Sequence, residues 1–390
     1  MKPPTILIVD DEPLNIDYLE QELEGSEYQV LTAANGQQAL ERVRAEAPDL
    51  ILLDIMMPVM DGFEALGRLK ADPASRDIPV IVISAASDLP NMVHGIQLGA
   101  EDYLPKPFEP TLLRARIASS LEKKRLRDLE QLYLKGLERE LDIAREIQQG
   151  FLPAELPQVE GWELAAHFEA AREVAGDFYD AFTLPDGRLV FFVGDVCGKG
   201  VGAALFMTLF RSLLRAPFTT DLLAAGRGAP GLSSAAHLQH AVSFTSNYVA
   251  ETHAEASMFA TVFLGVLEPR EGTLTYVNCG NEAALLLSRG SLSTLGPTGP
   301  VVGVIPGARF DVAEVTLHKD DLLLAFTDGV PDATDPHQAL FGKDRLAELV
   351  QAAAASPAAL LRNIETEIGR FVGSAPQFDD ITLLAIKRRS

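Results

Sequence analysis

The chain has 390 residues, with 33 Lys and Arg against 55 Asp and Glu, so its formal net charge at pH 7 is −22. This length exceeds what one hydrophobic core usually supports and predicts two or three domains. The negative charge disfavours binding to nucleic acid or to an anionic membrane surface, so we expect partners of another kind.

The chain contains two cysteines, Cys197 and Cys279, which are too few for a disulfide framework. The first residues lead directly into a short apolar strand instead of a signal-peptide core. No uninterrupted apolar run approaches the length of a bilayer span. We therefore expect a soluble protein of the reducing cytoplasm with no membrane partner.

Residues 1–122 alternate short apolar runs with helix-length amphipathic segments. The apolar runs are Thr5–Val9, Gln29–Ala33, Leu50–Leu53, Val80–Ile83 and Asp102–Leu104. Five such units predict an α/β domain with a doubly wound, five-stranded parallel sheet. In such sheets, ligands bind in the crevice beyond the carboxyl ends of the strands.

Polar residues stand at these strand ends, namely Asp10, Asp11, Asp54, Ser84 and Lys106. Carboxylates that converge repel one another unless a cation neutralises them, and an all-oxygen site suits Mg²⁺. A single Asp at a strand end is as often a helix cap or a turn former, but the combination is harder to explain in that way. The pattern therefore predicts a Mg²⁺ site.

The whole segment resembles the receiver domain of bacterial response regulators. The matching motifs are Asp10-Asp11, Asp54-Ile-Met-Met-Pro-Val-Met-Asp-Gly, Ser84 and Lys106-Pro107. The resemblance implies that Asp54 accepts a phosphoryl group from a sensor histidine kinase. The implied Mg²⁺ ligands are Asp10, Asp11, Asp54 and the backbone carbonyl of Met56.

By the same resemblance, Ser84 and Lys106 would bind the new phosphoryl oxygens and drive a conformational switch. Tyr103 matches the switch aromatic of the family, although a half-buried aromatic at a strand end explains it equally well. The peptide bond between Lys106 and Pro107 is cis in that family.

A long helix should begin near Glu109-Pro110 and continue through a linker at residues 123–150. Apolar residues recur along it at steps of three and four: Leu126, Leu129, Tyr133, Leu137, Leu141, Ala144, Ile147 and Phe151. This stripe is typical of a coiled coil and predicts a parallel homodimer, because an apolar stripe needs a partner to bury it. The alternative is a passive solvated connector, since Gly136 interrupts the helix at a cost of about 1 kcal/mol relative to Ala.

Residues 151–390 show runs of strands with grouped helices, which predicts an α+β layered sandwich. The predicted strands are Trp162–Phe168, Leu189–Val193, Thr261–Leu267, Leu274–Val277, Ala284–Leu287, Leu322–Ala325 and Ile381–Ile386. The predicted helices are Ala203–Arg215, Ala236–Glu251, Arg345–Ala355 and Ala358–Val372. We expect a flexible surface loop at Gly226–Ser234, which is rich in Gly, Pro and Ser.

Acidic residues again stand at strand ends, in four places far apart in the sequence. The motifs are Gly176-Asp177-Phe-Tyr-Asp180, Gly194-Asp195-Val-Cys-Gly198-Lys-Gly200, Thr327-Asp328-Gly329 and Asp379-Asp380-Ile-Thr382. A carboxylate beside Gly allows the tight turn and close backbone approach that a metal cluster needs. Each motif alone is a common turn, but four together indicate a metal site.

The set resembles the PPM family of metal-dependent serine/threonine phosphatases, also called protein phosphatase 2C, and within it the stage II sporulation E type. Further matching segments are Phe259-Ala-Thr-Val-Phe-Leu-Gly-Val-Leu267, Gly299-Pro-Val-Val-Gly-Val304 and Phe341-Gly-Lys-Asp-Arg-Leu346. The resemblance implies an α-β-β-α sandwich with two Mn²⁺ or Mg²⁺ ions. The implied ligands are Asp177, Asp195, Asp328, Asp379 and the backbone carbonyl of Val196.

Arg172 matches the offset of a phosphate-binding Arg in some relatives, although an ordinary surface Arg is an equal alternative. Where relatives commonly have His, this chain has Asn281. Asp180 and Asp380 stand beside matched acids, and either is a candidate for a third, weaker metal ligand. Cys197 is better explained as a small packed residue than as a thiolate ligand.

These resemblances together imply a response regulator whose output is dephosphorylation of phosphoserine or phosphothreonine on a protein. The implied substrate is a phosphorylated STAS-domain anti-sigma-factor antagonist, and phosphorylation of Asp54 would control activity through the helix. The alternative is a pseudophosphatase adaptor that binds a regulatory partner under receiver control. A transcription factor is excluded because the chain lacks a DNA-reading motif and positive charge.

Overall fold

The computed structural model describes residues 3–25, 27–85, 89–225, 232–352 and 356–389. The chain divides into two compact units, Met1–Glu138 and Arg139–Ser390, and the division falls inside one long helix. Because that helix is continuous, it contains no break at residue 122. The domain limits that we placed at residues 122 and 150 therefore remain a prediction.

The first unit contains a five-stranded parallel sheet with helices, as the sequence predicts. Its strands are β1 (Thr5–Val9), β2 (Gln29–Ala33), β3 (Leu50–Asp54), β4 (Val80–Ala85) and β5 (Asp102–Lys106). Its first four helices are α1 (Pro13–Leu23), α2 (Gly36–Glu46), α3 (Gly62–Ala71) and α4 (Leu89–Gln97). The order β2-β1-β3-β4-β5 with parallel pairing confirms the doubly wound fold.

Burial and helix capping explain why these segments fold as they do. Every residue of β1 and β3 is buried, which is typical of central strands in a parallel sheet covered on both faces. Asn35 begins α2 by accepting a hydrogen bond from the Gln38 N–H at 2.9 Å. Asp61 begins α3 in the same way through the Glu64 N–H at 2.8 Å.

Helix α5 (Pro110–Gln149) is continuous over 40 residues and passes through Gly136. The long helix that the sequence predicts is therefore confirmed. Several side chains of its apolar stripe are exposed, including Leu126 at 54%, Tyr133 at 72% and Ile147 at 61%. The pairing of this stripe in a coiled coil remains a prediction.

The second unit contains two antiparallel five-stranded sheets, of order β13-β10-β9-β8-β7 and β12-β11-β14-β15-β6. Its strands are β6 (Trp162–Glu169), β7 (Phe178–Thr183), β8 (Leu189–Val196), β9 (Ala260–Glu268), β10 (Thr273–Cys279), β11 (Ala284–Ser288), β12 (Ser291–Leu295), β13 (Ala313–Thr316), β14 (Leu322–Phe326) and β15 (Ile381–Arg388). Its helices are α6 (Val201–Ala225), α7 (Ser234–Thr252), α8 (Lys343–Gln351) and α9 (Pro357–Val372), with a short 3₁₀ turn at Ala254–Ala256.

Apolar clusters hold these layers together in the described part of the unit. Phe191, Phe263 and Leu384 belong to the cluster between the two sheets. A second cluster packs α6 and α7 on the first sheet, and a third packs α8 and α9 on the second sheet. This arrangement confirms the predicted α-β-β-α sandwich.

Some elements differ from the sequence prediction. Strand β7 was not predicted because Asp180 interrupts its apolar pattern, and β12 and β13 were not predicted because they are short and largely polar. Of the loop predicted at Gly226–Ser234, residues 226–231 lie outside the described residues, and Ser233 caps α7. The predicted end of the Arg345–Ala355 helix also lies outside them, at residues 353–355.

One segment in the described part of the chain, Val201–Thr219 of α6, is long and apolar enough to cross a bilayer by length and composition, with a mean hydropathy of 1.3. Arg211 and Arg215 interrupt this segment, so it is not an uninterrupted apolar run. Met207, Phe210 and Leu214 from this segment are buried in the core against the first sheet, which accounts for its apolar face.

Candidate functional site

The carboxyl ends of β1, β3 and β5 bring together Asp10, Asp54 and Lys106. The Lys106 ammonium donates to Asp10 Oδ2 and to Asp54 Oδ1, both at 2.8 Å. The Asn15 amide donates to the two Asp10 oxygens at 3.0 and 3.1 Å. The predicted convergence of polar residues at this edge of the sheet is therefore present.

Asp10, Asp11 and Asp54 offer carboxylate oxygens that all lie within 4.8 Å of one another. No other group of three or more His, Cys, Asp or Glu residues reaches this spacing in the described part of the chain. Burial raises the pKa of Asp54, while the hydrogen bond from Lys106 lowers it. A hard divalent cation with oxygen ligands, such as Mg²⁺, fits this set because it would offset the burial and repulsion of the carboxylates.

The other residues predicted for this site lie around Asp54 as follows. The Met56 N–H donates to the Asp54 carboxylate, so this backbone segment lies against the crevice. The Ser84 hydroxyl lies 2.9 Å from the Tyr103 hydroxyl, which donates to the Ala85 carbonyl at 3.0 Å. The peptide bond between Lys106 and Pro107 is cis, as the receiver resemblance implies.

Asp177, directly before β7, stands beside Asp195 of the neighbouring strand β8. Phe178 pairs with Gly194 in the antiparallel β7–β8 ladder, which sets the two aspartates opposite each other. The charge of Asp195 raises the pKa of Asp177, so the two carboxyl groups are close enough to interact electrostatically. Two of the four acids predicted as phosphatase metal ligands are thus neighbours.

The pKa values of these acids reflect their crowding. Burial raises the pKa of Asp177 well above its usual value, and Asp195 and Asp380 raise it further. Burial and the charges of Asp328 and Asp379 raise the pKa of Asp195 to about 7. Buried and half-buried carboxylates that repel one another in this way have the character of a divalent-cation site.

The second sheet supplies the other two predicted acids. Asp328 follows β14 and Asp379 precedes β15, its neighbour in that sheet. The Lys199 ammonium donates to Asp379 Oδ2 and to the Phe378 carbonyl, both at 2.7 Å. Sequence reasoning did not single out this lysine, although its place in the loop directly after β8 could have drawn attention to it.

Two threonines hold the Asp177 carboxylate, and sequence reasoning gave neither a role. Thr327 Oγ1 and Thr382 Oγ1 donate to Asp177 Oδ2 at 2.6 and 2.7 Å. Thr327 directly follows β14 and Thr382 lies in β15, both strands of the second sheet, so Asp177 forms a polar link between the sheets. Their position beside the acids Asp328 and Asp380 was the sequence feature that could have revealed them.

Glycines allow the backbone to approach closely at this junction. A Cβ atom at Gly176 would lie 3.0 Å from the Val196 carbonyl oxygen and 3.3 Å from Asp195 Oδ1. At Gly329, a Cβ atom would lie 1.8 Å from the Asp380 carbonyl oxygen. A side chain at residue 176 would thus fill the space beside the oxygens predicted as ligands, and the residues present fit divalent cations with oxygen ligands.

Asp180 and Asp380 have structural partners of their own. Asp180 Oδ2 pairs with Arg211 Nη2 at 2.8 Å and with Arg215 Nη1 at 2.7 Å, and its side chain is fully buried. The Asp380 carboxylate accepts hydrogen bonds from the Ala171 and Gly176 N–H groups at 2.8 and 2.7 Å. These contacts account for both residues without a bound metal.

Arg172 is exposed on the segment that leads to Asp177, where its side chain is open to solvent. Asn281, at the position where relatives commonly have His, is buried and donates to the Phe326 carbonyl at 3.0 Å. It thereby supports the end of β14, next to Asp328. Cys197 is partly buried and lies in the loop that follows Asp195.

Comparison with known proteins agrees with this division of the chain. Residues 185–389 match the family model for stage II sporulation protein E (SpoIIE), and residues 6–118 match that for the response regulator receiver domain. The SiaA-PP2C domain of Pseudomonas aeruginosa is 22% identical with a TM-score of 0.54, and the match covers 65% of this chain and 98% of that domain. At this identity, the likeness shows the fold.

Two curated proteins illustrate the sequence relationship. Protein IcfG of Synechocystis sp. is 40% identical over 263 residues, which are 64% of this chain and 41% of that protein. The response regulator PleD of Caulobacter vibrioides is 44% identical over 114 residues, 29% of this chain and 25% of that protein. The chain thus spans less than half the length of either relative.

The match to the sporulation protein model covers slightly more than half of the chain and takes in the two-sheet sandwich from β8 onward, while β6 and β7 precede it. The match to the receiver model coincides with the parallel sheet and its carboxylate crevice. The chain therefore belongs to the stage II sporulation protein E family, with a response regulator receiver domain preceding its PP2C-type phosphatase domain.

Proposed function

We propose that this chain is a two-component response regulator whose output is metal-dependent dephosphorylation of phosphoserine or phosphothreonine on a protein. The observation that carries the proposal is the β7–β8 pairing, which sets the buried carboxyl group of Asp177 beside the half-buried carboxyl group of Asp195 at the junction of the two sheets. Asp328 and Asp379 add negative charge to the same place. Membership of the family supports the reading of this cluster as a hydrolytic site.

The residues that would hold two Mn²⁺ or Mg²⁺ ions are Asp177, Asp195, Asp328, Asp379 and the Val196 carbonyl. Such ions, when bound, supply activation of a water for in-line attack on phosphorus and stabilisation of the leaving oxygen. Thr327 and Thr382 fix the orientation of the Asp177 carboxylate, because both hydroxyls donate to the same oxygen. Gly176 keeps the space beside the Val196 carbonyl clear.

Arg172 is the proposed phosphate-binding residue. Its guanidinium can recognise a phosphate through two parallel hydrogen bonds. It stands five residues before Asp177 and is exposed, so an incoming phosphoprotein can reach it.

The proposed substrate is a phosphorylated STAS-domain anti-sigma-factor antagonist or a similar phosphoprotein, as the family resemblance implies. The proposed location is the cytoplasm, with no nucleic acid or membrane partner. The charge of −22 is consistent with this choice, since it disfavours anionic surfaces.

In the receiver domain, Asp54 is the proposed phosphoacceptor and a sensor histidine kinase the proposed donor. Asp10, Asp11, Asp54 and the Met56 carbonyl would hold Mg²⁺. The Lys106 ammonium already lies 2.8 Å from Asp54 Oδ1, where it can bind an added phosphoryl group. Ser84 lies at the end of the neighbouring strand and is the second proposed contact of that group.

Helix α5 is the proposed route between the two sites, and its exposed stripe the proposed contact of a parallel homodimer. Leu137→Asp should weaken both dimerisation and regulation while leaving metal binding intact. Sedimentation measurements over a range of concentrations, with and without a phosphodonor, test the dimer. A chain that stays monomeric under all these conditions contradicts it.

Phosphate release from a phosphopeptide, measured with and without Mn²⁺, tests the proposed activity. The intact chain should release phosphate, and Asp328→Asn should lower the rate sharply because it removes a negatively charged ligand. Asp311→Asn, at an exposed aspartate outside the cluster, is the control and should keep the full rate. Equal rates for the wild type and Asp328→Asn would contradict catalysis and leave the adaptor alternative.

A further inference from the structure

Gln148, in the last turn of α5, is buried, unlike the residues on either side of it. It is buried at 7% exposure, whereas Ile147 is 61% exposed and Gln149 is exposed. Its amide Nε2 donates to the Ala175 carbonyl at 2.8 Å, and its Oε1 accepts from the Ala175 N–H at 2.9 Å. One side chain thus satisfies both backbone polar groups of one residue.

This pairing is difficult to replace with water. Ala175 is fully buried, so its N–H and carbonyl would lose their partners if the Gln148 amide were removed. A buried polar group without a partner is unfavourable, and the segment would have to shift to find one. The Gln148 amide therefore fixes the position of the Ala175 backbone.

Ala175 stands two residues before Asp177, in a segment that is held from two sides. Asp380 binds the Ala171 and Gly176 N–H groups from the second sheet. Gln148 binds Ala175 from helix α5. The backbone on which the Asp177 carboxylate is carried is thus anchored on both sides.

The side-chain hydrogen bonds from the described residues at the end of α5 to the rest of the unit reach this segment. Among the described residues, the side-chain hydrogen bonds from residues 139–149 of α5 to the rest of the unit are those of Gln148 and one from Arg145. Arg145 Nη2 donates to the Arg172 carbonyl at 3.4 Å. Both contacts reach residues 172–175, directly before Asp177.

We propose that Gln148 is a positioning residue for Asp177, and that the last turn of α5 acts on the candidate metal site through it. A displacement of this turn changes the Ala175 backbone position and with it the direction of the Asp177 carboxylate. The orientation of a ligand influences metal affinity, because a carboxylate whose oxygens do not point at the cation binds it less well. The proposal rests on the proposed function for its Mn²⁺-binding measurement. The hydrogen-exchange measurement does not depend on that function.

The chain offers a matched pair of variants for the test. Gln148→Met removes the amide and keeps a side chain of similar length, and Gln149→Met makes the same change at the exposed neighbour. Free Mn²⁺, counted by electron paramagnetic resonance, gives the binding isotherm of each intact chain. The receiver site is common to both, so their difference reports on the phosphatase domain.

We expect Gln148→Met to weaken Mn²⁺ binding by about tenfold or more, as loss of a supporting hydrogen bond commonly does. Hydrogen exchange of peptides covering residues 171–177 should become faster in the same variant. Gln149→Met should match the wild type in both measurements. Equal Mn²⁺ affinity and equal exchange in the two variants would overturn the proposal.

Gln148→Glu is the second variant, and it decides the question if Gln148→Met fails to fold. When ionised, it can still accept the Ala175 N–H but cannot donate to the carbonyl, so it should restore part of the Mn²⁺ affinity and part of the exchange protection. If Gln148→Glu matches the wild type in both measurements, the hydrogen bond to the Ala175 carbonyl does not position Asp177, which contradicts that part of the proposal. If the wild type binds no Mn²⁺ beyond the receiver site, the proposed function fails, and the exchange measurement still decides the positioning claim.

Discussion

The Thr382 hydroxyl lies 2.7 Å from Asp177 Oδ2 and joins the two sheets of the second unit. Asp177 precedes β7 in the first sheet, and Thr382 belongs to β15 in the second. Both residues are buried, so this hydrogen bond to a carboxylate is sheltered from competing water. The orientation of a candidate metal ligand therefore depends on how the two sheets pack.

Thr382→Val keeps the shape of the side chain and removes the hydroxyl. We expect Mn²⁺ affinity to fall about 10- to 100-fold, because the Asp177 carboxylate loses one of the two donors that orient it. Titration with Mn²⁺ measures this change. Thr366→Val, at an exposed position of α9, is the control, and a similar affinity in the two variants would contradict the positioning role of Thr382.

Lys199→Met should act in the opposite direction on the metal. The Lys199 ammonium lies 2.7 Å from Asp379 Oδ2, where a positive charge opposes the binding of a cation to the same carboxylate. The pair is partly exposed, and such pairs contribute about 0.2–1 kcal/mol, so we expect about a two- to fivefold gain in Mn²⁺ affinity. The Mn²⁺ binding isotherm checks the sign, and weaker binding would instead indicate that Lys199 supports the site.

Asp180→Asn should destabilise the second unit without affecting the metal site. It leaves Arg211 and Arg215 without the buried carboxylate that they share, and the free energy of unfolding should fall by about 3–5 kcal/mol. Urea unfolding measures this loss. Asp186→Asn breaks a more exposed pair with Arg188 and should cost less than about 1 kcal/mol.

Mn²⁺ titration of Asp180→Asn distinguishes a role of Asp180 as a metal ligand from its role as a buried ion-pair partner. If Asp180 were a third metal ligand, Asp180→Asn would weaken Mn²⁺ binding and change stability little. Because Asp180 pairs with Arg211 and Arg215, we expect unchanged Mn²⁺ binding and lower stability.

The receiver fold was predictable because each central strand is a continuous apolar run followed directly by a polar residue. Asp10 and Asp54 follow or end such runs, and the parallel sheet brings all such ends to one edge. The crevice could therefore be predicted from strand order alone. The Lys106 contacts with both carboxylates follow from the same rule.

The second unit was less predictable because its site depends on pairings between distant parts of the chain. Asp177 and Thr382 are 205 positions apart, and no local spacing indicates their contact. Strand β7 escaped prediction because the buried charge of Asp180 breaks its apolar pattern, and the partner arginines lie on α6. Gln148 looked like any polar residue of a solvated helix until its contacts with Ala175 were seen.

The central claim is that phosphorylation of the receiver controls a protein phosphatase. The most direct measurement is Mn²⁺-dependent phosphate release from a phosphorylated protein substrate by the intact chain, with and without a small-molecule phosphodonor. We expect the donor to change the rate in the wild type and to leave Asp54→Asn unchanged, since the variant lacks the carboxylate that accepts the phosphoryl group. A rate in the wild type that is the same with and without the donor, while Asp54 is demonstrably phosphorylated, would contradict the claim.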